Sequence, residues 1–339
     1  MLLLLLACAK PVPPASVDPV PGVPRLPSPT GDVYTRLQGR PSDDLVAQVV
    51  GTAPWDEVLS GVAAAIALAQ TEGTAPDPYQ VRWHAVRAGY PYPVAAMLVS
   101  LAPLGEVPMG FVDAVRNSTS ADVGLARARG TSGDWWVMLE GRPRGRVGAI
   151  AREHPVGDVI TAAGMVVSDP LGQIRPAADT VTLDMKGEWL LQARDLAGSV
   201  ATLPIYVGEL TPIEPPFIPL DVPGGDDPLA RALLRDVWGW YGRPAPEFDP
   251  TLDAVARARL RDLLAGVASP DPARQVQAAG FVGVPSATAT CRAAEATACL
   301  DGMWWSPERR GVLVGGFEAL GVATGREDGE LVMVVVAAG

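Results

Sequence analysis

Trp55-Asp56-Glu57-Val58-Leu59-Ser60-Gly61-Val62-Ala63 and Phe248-Asp249-Pro250-Thr251-Leu252-Asp253-Ala254-Val255-Ala256 stand 193 residues apart and share Asp, Leu, Val and Ala at matching places. Each stretch opens on an aromatic residue. An Asp follows, suited to accept the free amides of a helix start, and then come apolar residues at the spacing of one helix face. The pair therefore predicts two helices entered in the same way.

The likeness continues downstream. Asp77-Pro78 leads to Ala88-Gly89-Tyr90 as Asp271-Pro272 leads to Ala279-Gly280-Phe281, with Asp as N-cap, Pro as first helical residue and Gly as helix stop. Val123-Gly124-Leu125-Ala126 with Trp136-Val137-Met138-Leu139 parallels Leu320-Gly321-Val322-Ala323 with Leu331-Val332-Met333-Val334. Both read as two apolar strands joined by a polar turn. The offset stays between 191 and 197 throughout, so residues 31–142 and 226–339 are expected to be two copies of one plan. Between them, 143–216 carries short β-type runs such as Val159-Ile160-Thr161, Met165-Val166-Val167 and Thr180-Val181-Thr182-Leu183, separated by turn residues. That spacing predicts a small antiparallel β-sandwich. A Pro-rich joint, with 217–225 as linker, leads into the last segment.

Several residues of the second copy carry a family resemblance. A helix over 226–241, Phe-Asp-Pro-x-Leu-x-x-Val-Ala-Arg-Ala at 248–258, Asp262-Leu263-Leu264, Trp305-Ser306-Pro307-Glu308-Arg309-Arg310 and Leu320-Gly321-Val322-Ala323 before a final apolar strand resemble a bacterial CAP domain. That superfamily includes cysteine-rich secretory proteins, venom antigens and pathogenesis-related proteins. The resemblance implies an α+β chain in which two CAP-like α-β-α sandwich domains flank the β-sandwich. It also implies where the family's metal-binding histidines would fall, and those places hold other residues: Ile66 in the first copy, Arg259 and Arg309 in the second. No metal and no cofactor are expected on that ground.

Composition narrows the function further. With 38 acidic and 27 basic residues the formal charge is −11, which repels a phosphate backbone and argues against a nucleic-acid partner. Two His (His84, His154) and three Cys are too few for a four-ligand zinc site built from those residues. No nucleophile elbow, P-loop or dinucleotide fingerprint is present. The pairs Asp43-Asp44 and Asp226-Asp227 open helices, where they offset the positive dipole end. His84 is expected on a helix surface or partly buried, and His154 in an exposed turn. In two adjacent Trp pairs, Trp135-Trp136 and Trp304-Trp305, neighbours in a strand would face opposite ways, so one of each pair reaches the surface or a domain interface. Packing between domains is the favoured reading, and an aromatic binding surface for sugar or lipid the alternative.

The N-terminus suggests the compartment. Leu2 to Leu6 followed by Ala7-Cys8 looks like a bacterial lipobox, with 1–8 as signal remnant and Cys8 as lipidation site. Residues 9–30 form a linker in which Pro11 to Pro29 includes eight prolines, suited to an extended spacer. An envelope location is oxidising, so Cys291 and Cys299 are a candidate disulfide. On one continuous helix they would lie about 12 Å apart, so a bridge needs a bend between them.

The expectation from sequence is a non-catalytic lipoprotein of the bacterial cell envelope, on its periplasmic face or cell surface. It would be held to a membrane by its lipid and bind an envelope protein or a glycan. The alternatives are a carboxylate-dependent hydrolase of peptidoglycan or polysaccharide, and a lipid-binding envelope protein.

Overall fold

A computed structural model of the chain describes residues 33–73, 78–118, 121–145, 147–176, 178–196, 198–208, 225–240 and 246–339. Cys8, the Pro-rich linker and the Pro212–Pro223 joint lie outside the described residues. The first segment runs β1 (Val33–Tyr34), α1 (Asp44–Val50), α2 (Glu57–Thr71), α3 (Pro78–Ala88), β2 (Val94–Ala102), α4 (Met109–Asn117), β3 (Asp122–Arg129) and β4 (Asp134–Gly141). The middle segment holds β5 (Ile150–Ala151), β6 (Glu153–His154), β7 (Val159–Thr161), β8 (Met165–Ser168), β9 (Thr180–Thr182), β10 (Gly187–Asp195) and β11 (Gly198–Val207). The last runs α5 (Asp226–Trp240), β12 (Glu247–Phe248), α6 (Pro250–Leu264), α7 (Pro272–Ala278), β13 (Ser286–Ala293), α8 (Ala296–Trp304), α9 (Gly311–Val314), β14 (Ala319–Glu327) and β15 (Glu330–Ala338). The fold is α+β. Among the described residues no helix is long and apolar enough to cross a membrane.

Strand β15 shows how the outer sheets are covered. Its run Leu-Val-Met-Val-Val-Val-Ala-Ala has no polar side because both faces are buried. Leu331, Met333, Val335 and Ala337 join one apolar cluster, while Val332, Val334, Val336 and Ala338 join another on the opposite face. Helix α6 supplies Leu252, Ala256 and Leu260 to the second cluster, with Val276 from α7. Helices α5, α8 and α9 cover the first. The first segment is layered in the same manner: α2 and α3 lie over Val137 and Leu139, and α1 and α4 over Val123, Leu125, Trp136 and Met138.

Strand order also corresponds. The first sheet runs β2-β4-β3, with Trp55 bridging parallel to Val123 at its edge. The last runs β13-β15-β14-β12, with Phe248 parallel to Leu320. In each sheet a glycine lies under a helix, Gly124 under α2 and Gly321 under α6. A Cβ on Gly124 would meet the Leu59 carbonyl carbon at 2.6 Å, and one on Gly321 would collide with the Leu252 backbone. Only a residue without a side chain lets the helix come that close.

The middle segment's main sheet, β6-β11-β10-β8, is mixed. Strands β8, β10 and β11 are antiparallel, whereas β6 pairs parallel with β11, so an all-antiparallel sandwich is not what forms. Edge strand β6 reaches β11 from across the sheet and no hairpin turn joins them. One apolar cluster runs through all three segments, including Trp83, Trp189, Leu203, Trp304 and Leu313. Polar contacts cross the same boundaries: Tyr34 Oη donates to Pro204 O at 2.6 Å, Gln192 Nε2 to Trp305 O at 2.9 Å and Arg310 to Glu188 at 3.0 Å. The outer segments turn opposite layers inward. The first presents α2 and α3, with α3 against β11, and the last presents α8 and α9.

Cys291 and Cys299 are bridged, with 5.4 Å between their Cα atoms. The bend comes from a change of element: Cys291 lies within β13, opposite Met333, and Cys299 sits inside α8. No Gly or Pro is needed, because the chain passes from extended to helical between Ala293 and Ala296. The bridge clamps α8, which carries Asp301 and Trp304, to the sheet.

Two outcomes follow. Replacing Gly124 or Gly321 by Ala should cost about 2–3 kcal/mol, as an overpacked core does, read by urea unfolding. Replacing both Cys291 and Cys299 by Ala should cost roughly 2–3 kcal/mol for so short a loop, and reductant should leave that variant's melting temperature unchanged while lowering the wild type's.

Candidate functional site

The entry to α2 is built from a short stretch caught between two others. Trp55 to Glu57 lies beside Leu37 to Gly39 on one side and β3 on the other: Gly39 N donates to Trp55 O, Glu57 N to Leu37 O, and Asp56 N to Val123 O. Gly39 is small because a Cβ there would press the Trp55 ring at 2.9 Å. Asp56, fully buried, caps α2 by accepting from Leu59 N at 2.9 Å and accepts from Leu37 N at 3.0 Å. Beside it Asp122, also fully buried, accepts from Arg36 and from Tyr90 Oη at 3.1 Å. Burial, together with the charge of Asp122, raises the Asp56 carboxyl to about 6. The Tyr90 phenol is pushed up by burial and by Asp122.

On the surface side of this knot lies an open groove of about 380 Å³ between α1, α2 and β3. Arg40, Asp43, Trp55, Glu57, Ser60 and Arg127 give it its chemistry. Asp43 caps α1 through one oxygen, accepting from Leu45 N at 2.9 Å and Val46 N at 3.1 Å, and accepts from Arg127 Nε at 2.8 Å through the other. Burial opposes its charge, but the Val46 amide and Arg127 outweigh that and hold its carboxyl below the usual range. Arg127 also donates to Asp134 at 2.7 Å. Ser60 Oγ accepts from Leu125 N at 3.2 Å. Glu57 stands exposed at the rim.

The residues singled out from sequence are scattered. Ile66 is fully buried in the apolar core. Arg259 is half-buried on α6 and donates to Pro270 O and to Gln275 at 2.7 Å. Arg309 is exposed in the turn before α9. Since α6 and α9 cover opposite faces of one sheet, the fold keeps Arg259 and Arg309 apart.

The tryptophans pack instead of forming an aromatic surface. Trp136, Trp304 and Trp305 are buried, and only Trp135 is half-buried. On β4 the alternation holds, with Trp136 under α4 near Phe111. Trp304 and Trp305 end a helix instead of lying in a strand, so both turn inward, and Trp305 Nε1 donates to Asp301 at 2.8 Å.

The histidines differ too. His84 is buried against Trp83, and burial with the nearby Arg87 charge lowers it to about 3. His154 is half-buried and shares a 2.6 Å contact with Asp158. Asp226 and Asp227 lie inside α5 and bind β14 through Arg326 and Thr324. Arg36, Tyr90, Asp122 and Arg127 escaped the sequence reading, because nothing local marks an Arg or Asp that a sheet later brings together. Among the described residues no group of His, Cys, Asp and Glu could hold a metal ion.

No protein-family model matches the chain, and no curated protein matches it either. Among solved structures it is similar to an extracellular protein containing an SCP domain from Bacillus anthracis str. Ames, at 13% identity and a TM-score of 0.27, over 64% of this chain and 86% of that one.

The knot and the buried histidine have opposite pH signatures. Between about pH 6.5 and 3 the unfolded chain takes a proton at His84 that the folded chain refuses, so acid destabilises. Asp56, raised to about 6 from 3.8, takes its proton first in the folded chain, so acid stabilises through it between those values. The His84→Gln variant should therefore gain on the wild type in melting temperature as pH falls below 6.5. Asp56→Ala should cost about 1–2 kcal/mol at pH 7 from loss of the cap, measured by urea unfolding.

Proposed function

We propose that the chain is a non-catalytic binding module of a bacterial cell envelope, made of two degenerate CAP-like units around a middle β segment and anchored through lipid on Cys8. The observation that carries the reading is the groove over α2, in which Asp43 and Arg127 are spent on one another. Asp43 uses both oxygens to cap α1 and hold Arg127, and Arg127 is shared with Asp134. Groups held this way present a fixed surface to a ligand. A glycosidase would need two carboxylates free to exchange protons or attack across a cleft, and of the groove's two carboxylates only Glu57 is not tied down in this way.

The two-unit reading draws on the shared strand order, the matching entries to α2 and α6, and the glycine beneath each helix. The family's histidine positions hold Ile66, Arg259 and Arg309, so the units would keep the family's framework without its imidazoles. The envelope setting draws on Leu2 to Cys8, the Pro-rich stretch after it and the Cys291–Cys299 bridge.

Incubated with purified peptidoglycan, the full chain should release no soluble sugar above a buffer blank. Release that Glu57→Gln abolishes without lowering the melting temperature would establish the hydrolase instead. In bacteria fed an alkyne fatty acid, the wild-type chain should take up label and Cys8→Ser should not.

A further inference from the structure

The space that forms the open groove in the first segment is filled in the last one. There Phe248 stands where Trp55 does: each pairs parallel with the first strand of the closing hairpin, at Leu320 and Val123 respectively. Asp249 caps α6 as Asp56 caps α2. Asp253 stands where Ser60 does, since Val322 N donates to Asp253 as Leu125 N donates to Ser60. Over these residues the last segment lays its own Arg231. The Arg231 guanidinium carbon sits 4.7 Å from the Phe248 ring centre, and its Nη2 lies 2.7 Å from the Asp253 carboxylate. Arg235 adds a second guanidinium at 4.9 Å from the same ring.

The first segment lacks the plug. Helix α5 spans fifteen residues and carries both arginines, whereas α1 has seven, Asp-Leu-Val-Ala-Gln-Val-Val, and no cation. What remains is an aromatic wall at Trp55, with Gly39 against part of its ring, the Glu57 carboxylate at the rim and the Ser60 hydroxyl at the floor; Arg40, in the loop before α1, lines the groove too and stands exposed. Arg127 cannot serve as an internal substitute: Asp43 and Asp134 hold it, and its guanidinium lies over Trp136 instead.

We propose that this groove binds an arginine side chain presented by a partner polypeptide, its guanidinium taking over Trp55 the place that Arg231 takes over Phe248. The proposal rests on the binding-module reading and names its ligand. A planar guanidinium suits the site better than an ammonium, because it stacks on a ring while its edge donates to a carboxylate. The groove's openness suits a side chain whose backbone stays outside.

The test titrates the full chain with acetyl-Gly-Arg-Gly-amide, followed by saturation-transfer NMR on the peptide. Saturable binding is expected, weakened about tenfold by Glu57→Gln, and tightened about tenfold by Ser60→Asp, which restores the acid of the last segment; a tenfold change is about 1.4 kcal/mol. The citrulline analogue, neutral and of the same shape, should not bind, and free arginine should bind no tighter than the capped peptide. Absence of saturable binding in both the wild type and a folded Ser60→Asp chain would overturn the proposal. So would equal binding of citrulline, or binding of free arginine alone. In the last segment Arg231→Ala should lower the melting temperature, and millimolar methylguanidinium should recover part of the loss; an unchanged melting temperature would remove the premise. Sugar release by a chain that binds the peptide would sink the module reading and leave the arginine site standing. Failure of the peptide with no sugar release would do the reverse.

Discussion

Everything in the two outer segments is arranged around one close approach, the backbone of a helix lying on the backbone of a strand at Gly124 and at Gly321. The helix is brought there by an aspartate, Asp56 or Asp249, whose amide donates to the strand residue just before the glycine and whose side chain caps the helix. Cap and approach are therefore one device. The strand supplies an acceptor, the Asp redirects the chain, and the missing Cβ lets the helix settle. Once α2 and α6 are seated, the alternation of β15 and its counterpart β4 decides which residues meet which layer of helices.

The segments are joined less symmetrically than they are built. Because the first turns α2 and α3 toward the middle sheet and the last turns α8 and α9, the same layer is inner in one and outer in the other. The buried ion pair Arg310–Glu188 and the buried Tyr34 phenol belong to that joint. Glu188 is raised by burial, with Arg310 opposing that shift, and Tyr34 is raised by burial with Arg152 over its ring. A buried pair of this kind adds little net stability but is costly to break, so it favours one docking geometry over its neighbours. The asymmetry also bears on the groove: α1 faces outward and is short, so no arginine of a helix lies over Trp55 as Arg231 lies over Phe248.

Much of this was legible in the residues. The 193-residue offset places Asp56 with Asp249 and Ser60 with Asp253, and periodicity locates α2, α6 and the closing hairpins, because caps and alternation are local signals. Trp304 and Trp305 follow the packing reading, but not by strand alternation: adjacency predicts opposite faces only in a strand, and these two residues end a helix and both turn into the cluster shared by the segments. Nor could spacing show that Arg36, Tyr90 and Asp122 meet, since they lie in three stretches far apart in the chain.

By itself the sequence determined the elements, their order, the glycine-and-aspartate device at each helix and the pairing potential of Cys291 with Cys299. Tertiary structure alone decided that strand β6 runs parallel to β11, that three of the four paired tryptophans are core, and that Arg231 lies over Phe248 while no helix arginine lies over Trp55. The division has a physical cause. Capping, turns and amphipathic spacing act over a few residues and are written in the chain. Burial, charge pairing and the filling of a cleft depend on which distant side chains the fold brings within a few ångströms.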